Sequence, residues 1–417
     1  MSRFIPILLF LIFFGSYCSS AQTTDDDTFT IIDQEPEVEV EPVDPLDVYR
    51  NREATNLSKH NSGGSNSITL LSSSKPEVET KQNSDITLTI PAGAQTPISC
   101  NITEKDILVG QELLSHINNL ASSKNISSYK IHKYKTELAG DIIHMNYIFD
   151  SYDKENKFGN YKLSILHKPG LGAVICVHDE AGYYNTFRKV VDSLARSEFL
   201  KKKFSQFGTY KTKKIFLVHL NGKSIGYFEA YTFYESSDLL LNITNSVETV
   251  PVNETKFVVR ERKNIAYVSS VSGELLNQQS TGFENGKPND SLTITKLDKG
   301  KYKVKGTSNK KAVQAELYTE FPVIDSETAL TRIIRNYKKG IREKVIYSEF
   351  LSPYPTRFSK SELFLISENK GRYKLNYKSS FGMNMYLEAD LTGTLKISML
   401  VNNIEIEINR VFYKKKK

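Results

Sequence analysis

Several stretches of the chain carry residue types that chemistry uses. Gly222-Lys-Ser-Ile-Gly226 has the spacing of a nucleophile elbow, which would make Ser224 an attacking hydroxyl. That reaction needs a strained strand-to-helix turn, with an acid and a histidine later in the chain. Here Tyr227-Phe-Glu-Ala-Tyr231 continues as an alternating strand, and His219, the last histidine, precedes Ser224. Gly222-Lys223-Ser224 also ends like a phosphate-binding loop, but Leu217 stands where its first glycine is needed. His178-Asp179-Glu180 falls between a predicted strand and a predicted helix, without a second histidine four residues on or a cysteine pair at zinc spacing. His132 and His144 fall on neighbouring predicted strands. Tyr183 and Tyr184 are the aromatic pair expected to be exposed beside His178. These residues assemble no triad, metal set or carboxylate pair, so the sequence assigns no catalytic residue, metal or cofactor.

Two function classes follow. The first is an exported, non-catalytic envelope or secreted binding protein. The second is a secreted hydrolase of unrecognised family, its site near His178, Tyr183 and Tyr184. Charge gives the first class a partner. The formal net charge is +7, yet residues 25–47 hold ten acids and no base. With those acids and Arg3 set aside, the remaining chain carries about +16, an asymmetry typical of interaction tails. Lys201, Lys202, Lys203, Lys211, Lys213 and Lys214 flank a predicted helix-to-hairpin junction. They are the expected contacts for an anionic surface, lipid headgroups or polysaccharide. An unidentified protein partner is the alternative. No cluster forms a nucleic-acid motif.

The compartment is read from the N-terminus. Arg3, the apolar run Phe4 to Phe14 and Ser19-Ser20-Ala21 have the order of a secretory signal peptide, cleaved after Ala21. Cys18 offers lipidation at the cell envelope as a second route, although Tyr17 is bulky for that pattern. An exported chain can oxidise its thiols, so Cys100 and Cys176 either pair or remain as two buried free thiols.

The elements that must position these residues follow from periodicity. Residues 22–98 predict a disordered linker, acidic and then Ser-rich, because apolar residues are sparse. Helices are expected over 104–122, 183–203 and 325–340 from apolar residues at three- and four-residue spacing. Strands are expected between them, joined by short turns. The strongest hairpin signal is Asn221-Gly222 between two aromatic-rich runs. Phe216-Leu217-Val218, Asn221 and Phe233 recur as Phe364-Leu365-Ile366, Asn369 and Phe381. The fold expected is therefore α+β in two tandem units, 99–250 and 251–417, each an antiparallel meander crossed by one helix. The helix Phe187 to Phe199 followed by the Asn221-Gly222 hairpin resembles the element order of PsbP-like domains over about 100 residues, which implies an antiparallel sheet closed by that hairpin.

Overall fold

The structure, a computed structural model, describes residues 52–63, 67–81, 85–123, 126–153, 158–203, 210–252 and 256–415. The apolar run at 4–14, Cys18, Ala21 and the acidic stretch at 25–47 lie outside the described residues. The chain is mostly β, with antiparallel sheets and four helices among the described residues.

A small hairpin comes first, β1 (Ser58–Asn61) with β2 (Thr69–Ser72). Then come β3 (Glu77–Thr80), β4 (Ile86–Ile90), β5 (Ile98–Thr103), helix α1 (Val109–Ser123), β6 (Ile126–Ala139), β7 (Ile142–Asp153), β8 (Phe158–Lys168) and β9 (Gly172–His178). These strands form a seven-stranded sheet in the order β3-β4-β5-β9-β8-β7-β6. Residues 58–98, expected as linker, thus contribute strands to the body. Ile86, Leu88 and Ile90 alternate with threonines, and all three isoleucine and leucine side chains are buried. A five-residue alternation is too short to register in composition, but one buried face is enough to order it against a sheet.

Helix α2 (Tyr184–Ala195) packs Phe187, Val190, Val191 and Leu194 onto one face of this sheet, followed by the short α3 (Glu198–Lys203). Glu53 holds the start of α2, accepting hydrogen bonds from the backbone N–H groups of Asn185 at 2.9 Å and Thr186 at 2.6 Å. Two otherwise orphaned helix donors are satisfied by one carboxylate.

The second body is a single fourteen-stranded antiparallel sheet. Its first eight strands are a meander: β10 (Thr212–Leu220), β11 (Lys223–Tyr234), β12 (Leu239–Pro251), β13 (Phe257–Ser269), β14 (Leu275–Glu284), β15 (Lys287–Asp298), β16 (Lys301–Ser308) and β17 (Lys311–Tyr318). Helix α4 (Ser326–Lys338) follows, then β18 (Val345–Phe350), β19 (Phe358–Asn369), β20 (Arg372–Ser379), β21 (Asn384–Asp390), β22 (Gly393–Val401) and β23 (Ile404–Lys415). The last strand pairs with β10, in register Phe216 with Arg410, so the second meander continues the sheet on the other side of β10. The expected division at 250/251 therefore falls at the end of a strand inside this sheet. The Asn221-Gly222 hairpin opens the large sheet rather than closing the first unit, and the PsbP-like order does not extend to the pairing.

Turn chemistry builds the meander. Asn221 and Gly222 both have positive φ, as a type I′ hairpin turn requires, and so do Asn285-Gly286, Asn309-Lys310, Lys370-Gly371 and Asn402-Asn403. The sheet curls until its edges meet. Beyond β17, Val323 forms a parallel bridge with Ser348 of β18. Ser348 N–H donates to Pro322 O at 3.0 Å, and Ile324 N–H to Ser348 O at 3.1 Å. Tyr302 of β16 packs edge-on to Phe358 of β19, with ring centroids 5.3 Å apart.

The two bodies share a core. Val109, Leu113 and Ile117 of α1, with Ile143, Met145 and Ile165 of the first sheet, pack against Ile215, Tyr227, Val247 and Val259 of the second. Glu261 of β13 caps α1 across this junction, accepting from Val109 N–H at 2.8 Å and Gly110 N–H at 2.7 Å. The period of two then sends the intervening residues of β10 to β12 to the opposite face, the inside of the curl.

Candidate functional site

Of the residues singled out by sequence, His178 and Tyr183 meet, while Ser224, His219 and His132 have separate partners. Ser224 lies in a strand and donates to Thr136 O at 2.7 Å. His219 is across the pairing from Glu407. His132 Nδ1 lies 3.5 Å from Asp150 Oδ2. His178 is buried, its Nε2 3.2 Å from Thr96 O, its ring between Phe187 and Tyr183. Burial, with the Lys162 charge nearby, pulls its imidazole down to about 4, so it stays neutral. Tyr183 adopts a left-handed φ of 59° at the start of α2, and the Tyr184 ring lies 5.3 Å from Lys133 Nζ.

The six lysines form no common face. Lys201 pairs with Glu198 at 2.6 Å and Lys203 with Glu104 at 2.8 Å. Lys202 is exposed, and Lys211 lies 4.3 Å from the Tyr234 ring. Lys213 is 3% exposed and paired with Glu229 at 3.0 Å. Lys214 points to the opposite face and pairs with Glu327 at 2.8 Å. Lys213 and Lys214 are thus corrected as surface contacts: alternation along β10 puts one ammonium between the bodies and the other inside the curl. Cys100 and Cys176 sit directly opposite each other on β5 and β9 and form a disulfide, S–S 2.10 Å.

Two polar clusters in the first body join His144 and Glu180 to partners that the sequence did not indicate. Ser164 Oγ is 2.5 Å from His144 Nε2, whose Nδ1 is 2.8 Å from Asp192 Oδ1. The partners match a serine–histidine–aspartate relay. Yet His144 and Ser164 are both fully buried beneath α2, so a substrate has no approach to the hydroxyl, which also donates to Asn146 Oδ1 at 3.1 Å. Glu137, His144 and Asp192 bring one ligand atom each within 4.8 Å, but Arg188 already lies between the two carboxylates, 3.3 Å from Glu137 and 3.9 Å from Asp192. Its guanidinium supplies the positive charge a metal would bring. Nearby, Lys162 is fully buried. Its ammonium donates to Asn160 Oδ1 at 3.1 Å and to Glu180 O, and burial pulls it down to about 7. Asn160, Lys162 and Ser164 alternate with Tyr161, Leu163 and Ile165 along β8. A polar stripe of that kind reads as solvent-facing until a helix is known to cover it.

A site with room for a ligand lies on the inside of the curled sheet. A partly open cavity of about 280 Å³ is lined by alternate residues of β10 to β12 and of β18 and β20 to β23. Phe216, Phe228, Ala230, Leu351, Met383, Met385, Ile397 and Ile408 give it an apolar wall. Helix α4 lies on the same inner face, burying Leu330, Ile333 and Ile334 against Tyr347, Leu363 and Leu375. Its N-terminus brings Asp325 and Glu327 into the lining, opposite Lys214 and beside Glu349. Asp325 caps the helix, accepting from Thr328 N–H at 2.6 Å. Glu327 takes Lys214 on one oxygen and Thr394 N–H, at 3.2 Å, on the other. Glu349 accepts from Tyr377 at 2.7 Å and Ser361 at 2.8 Å. Burial pushes the Glu349 carboxyl up to about 7 and raises that of Asp325, while Lys214 counters burial and holds Glu327 below the usual range. The enclosing strands are far apart in sequence, so no local motif announces this site. The alternation of Thr212, Lys214 and Phe216 is the one trace it leaves.

Among the described residues, no helix is long and apolar enough to cross a membrane. No protein-family model and no curated protein matches the chain. Among solved structures it is similar to a β-barrel-like protein of domain of unknown function DUF1849 from Brucella abortus, at 10% identity and a TM-score of 0.40, covering 50% of this chain and 98% of that one.

Proposed function

We propose that the protein is an exported, non-catalytic binding protein that holds a small amphipathic molecule inside its curled sheet. The observation that carries this is the lumen itself. It is a cavity with an apolar wall and charged groups in its lining, of about 280 Å³, just under the ~300–1,000 Å³ range of small-molecule sites. The hydrolase alternative near His178, Tyr183 and Tyr184 loses support because His178 is buried and neutral, and the Ser164–His144–Asp192 chain is sealed beneath α2. The anionic-surface reading loses its contacts, since two of its six lysines face inward and two others are paired with carboxylates.

The test is calorimetric titration of the full-length mature protein with octanol, octylamine and octanoate. Saturable one-to-one binding of at least one is expected. It should be lost in Ala230→Trp, which fills the lumen from β11. Absence of saturable binding by all three would refute the proposal, as would undiminished binding by a folded Ala230→Trp variant.

A further inference from the structure

The lining carries more acid than base, and the acids are not equally committed. Glu327 is engaged on both oxygens, by Lys214 and by the Thr394 backbone. Lys214, the lumen's ammonium among the lining residues, is thereby neutralised in place. The donors to Asp325 and Glu349 are neutral: among them a backbone N–H, the Asn242 amide at 3.5 Å, and the Tyr377 and Ser361 hydroxyls. One lining amide adds an acceptor to these carboxyls. Asn242 lines the cavity, and its buried Oδ1 lacks a hydrogen-bond partner among the described residues. Tyr347, fully buried on the same strand face, turns its hydroxyl toward Glu349 as a further neutral donor. An acceptor without a donor, beside two carboxyls with no ammonium or guanidinium paired to them, is costly to enclose.

We infer that the lumen selects an amphipath with a cationic amine head, seated at Asp325, Asn242 and Glu349, with its apolar body along Phe216, Phe228 and Met385. An ammonium carries three donors and no acceptor, matching the Asn242 amide oxygen and the two carboxyls that face it. An anionic head would meet the Glu327 carboxylate, the carboxyls of Asp325 and Glu349, and a lysine already paired. The positive end of the α4 dipole offers an anion nothing either, because the Asp325 side chain occupies it as the cap. The two phenyl rings add attraction for a cation at their faces. At about 30 Å³ per water-sized group, the cavity takes roughly nine, the heavy-atom count of octylamine.

This inference rests on the lumen being a ligand site, and the same titration separates the two. Octylammonium should bind about tenfold or more tighter than octanol, with octanoate weakest. Glu349→Gln keeps the hydrogen bonds and removes the charge, and Asp325→Asn keeps the cap. Each should weaken octylammonium by about fivefold or more and leave octanol within about twofold. Octanol or octanoate binding as tightly as the amine, or charge-removing variants without effect on it, would overturn the head-group assignment while leaving the lumen reading intact. No binding of any of the three would overturn both.

Discussion

The disulfide gives the most direct test of how the first body is held. It joins Cys100 on β5 to Cys176 on β9, directly paired strands separated by 76 residues in sequence. That loop contains α1 and the long strands β6, β7 and β8, so reduction frees the unfolded chain across most of the sheet. The chain-entropy relation for a loop of this length gives about 4.5 kcal/mol at 25 °C. Both thiols are fully buried among Leu88, Ile102, Val174 and Val190, so alanine replacements leave only small voids. The double variant Cys100→Ala/Cys176→Ala should therefore lose about 4 kcal/mol of stability in urea unfolding. Melting should fall by roughly 10 °C or more, at about 2–4 °C per kcal/mol for a body of this size. Reduction of the wild type should move it to the same place, and the octylamine titration should change little, since the lumen belongs to the other sheet. Two alkylatable thiols in the unreduced, denatured protein, or a double variant within about 1 kcal/mol of wild type, would refute the reasoning.

Three further outcomes follow from burial and close approach. Lys213→Ala leaves Glu229, itself fully buried, without its ammonium, and should cost about 3–5 kcal/mol in urea unfolding; Glu229→Gln in the same chain should restore part of the loss. Gly226→Ala would put a Cβ 2.1 Å from Val247 O, so the β11–β12 pairing must give way at a cost of about 3 kcal/mol or more, read as a fall in melting temperature. Burial pushes the Glu248 carboxyl from 4.5 up to about 8, against the opposing pull of Arg260 and Arg262. The folded chain thus keeps a proton that the unfolded chain releases. Stability should fall as pH rises from about 4.5 to about 8, by about 1.4 kcal/mol per pH unit at most, and Glu248→Gln should flatten that slope in a melting series. Parallel wild-type and variant profiles would contradict the assignment.

The local pieces were readable from sequence because they depend on nearest neighbours. The Asn221-Gly222 turn follows from the need for positive φ at two adjacent residues, and α2 and α4 from apolar residues repeating at helical spacing. Asn285-Gly286 carries the same turn signal between β14 and β15, although that stretch otherwise reads as loop. Partnership between distant segments was not readable. The pairing of β23 with β10 joins residues about 190 apart, and nothing in either strand's composition names the other. That pairing turns two meanders into one curled sheet and sorts Lys213 from Lys214, adjacent residues of the same type. It also gathers Asp325, Glu349 and Asn242, from a helix start and two strands, around one cavity. Periodicity tells a strand which residues share a face. Only the closed sheet decides which face is the inside, because burial belongs to the assembled surface rather than to any segment of it.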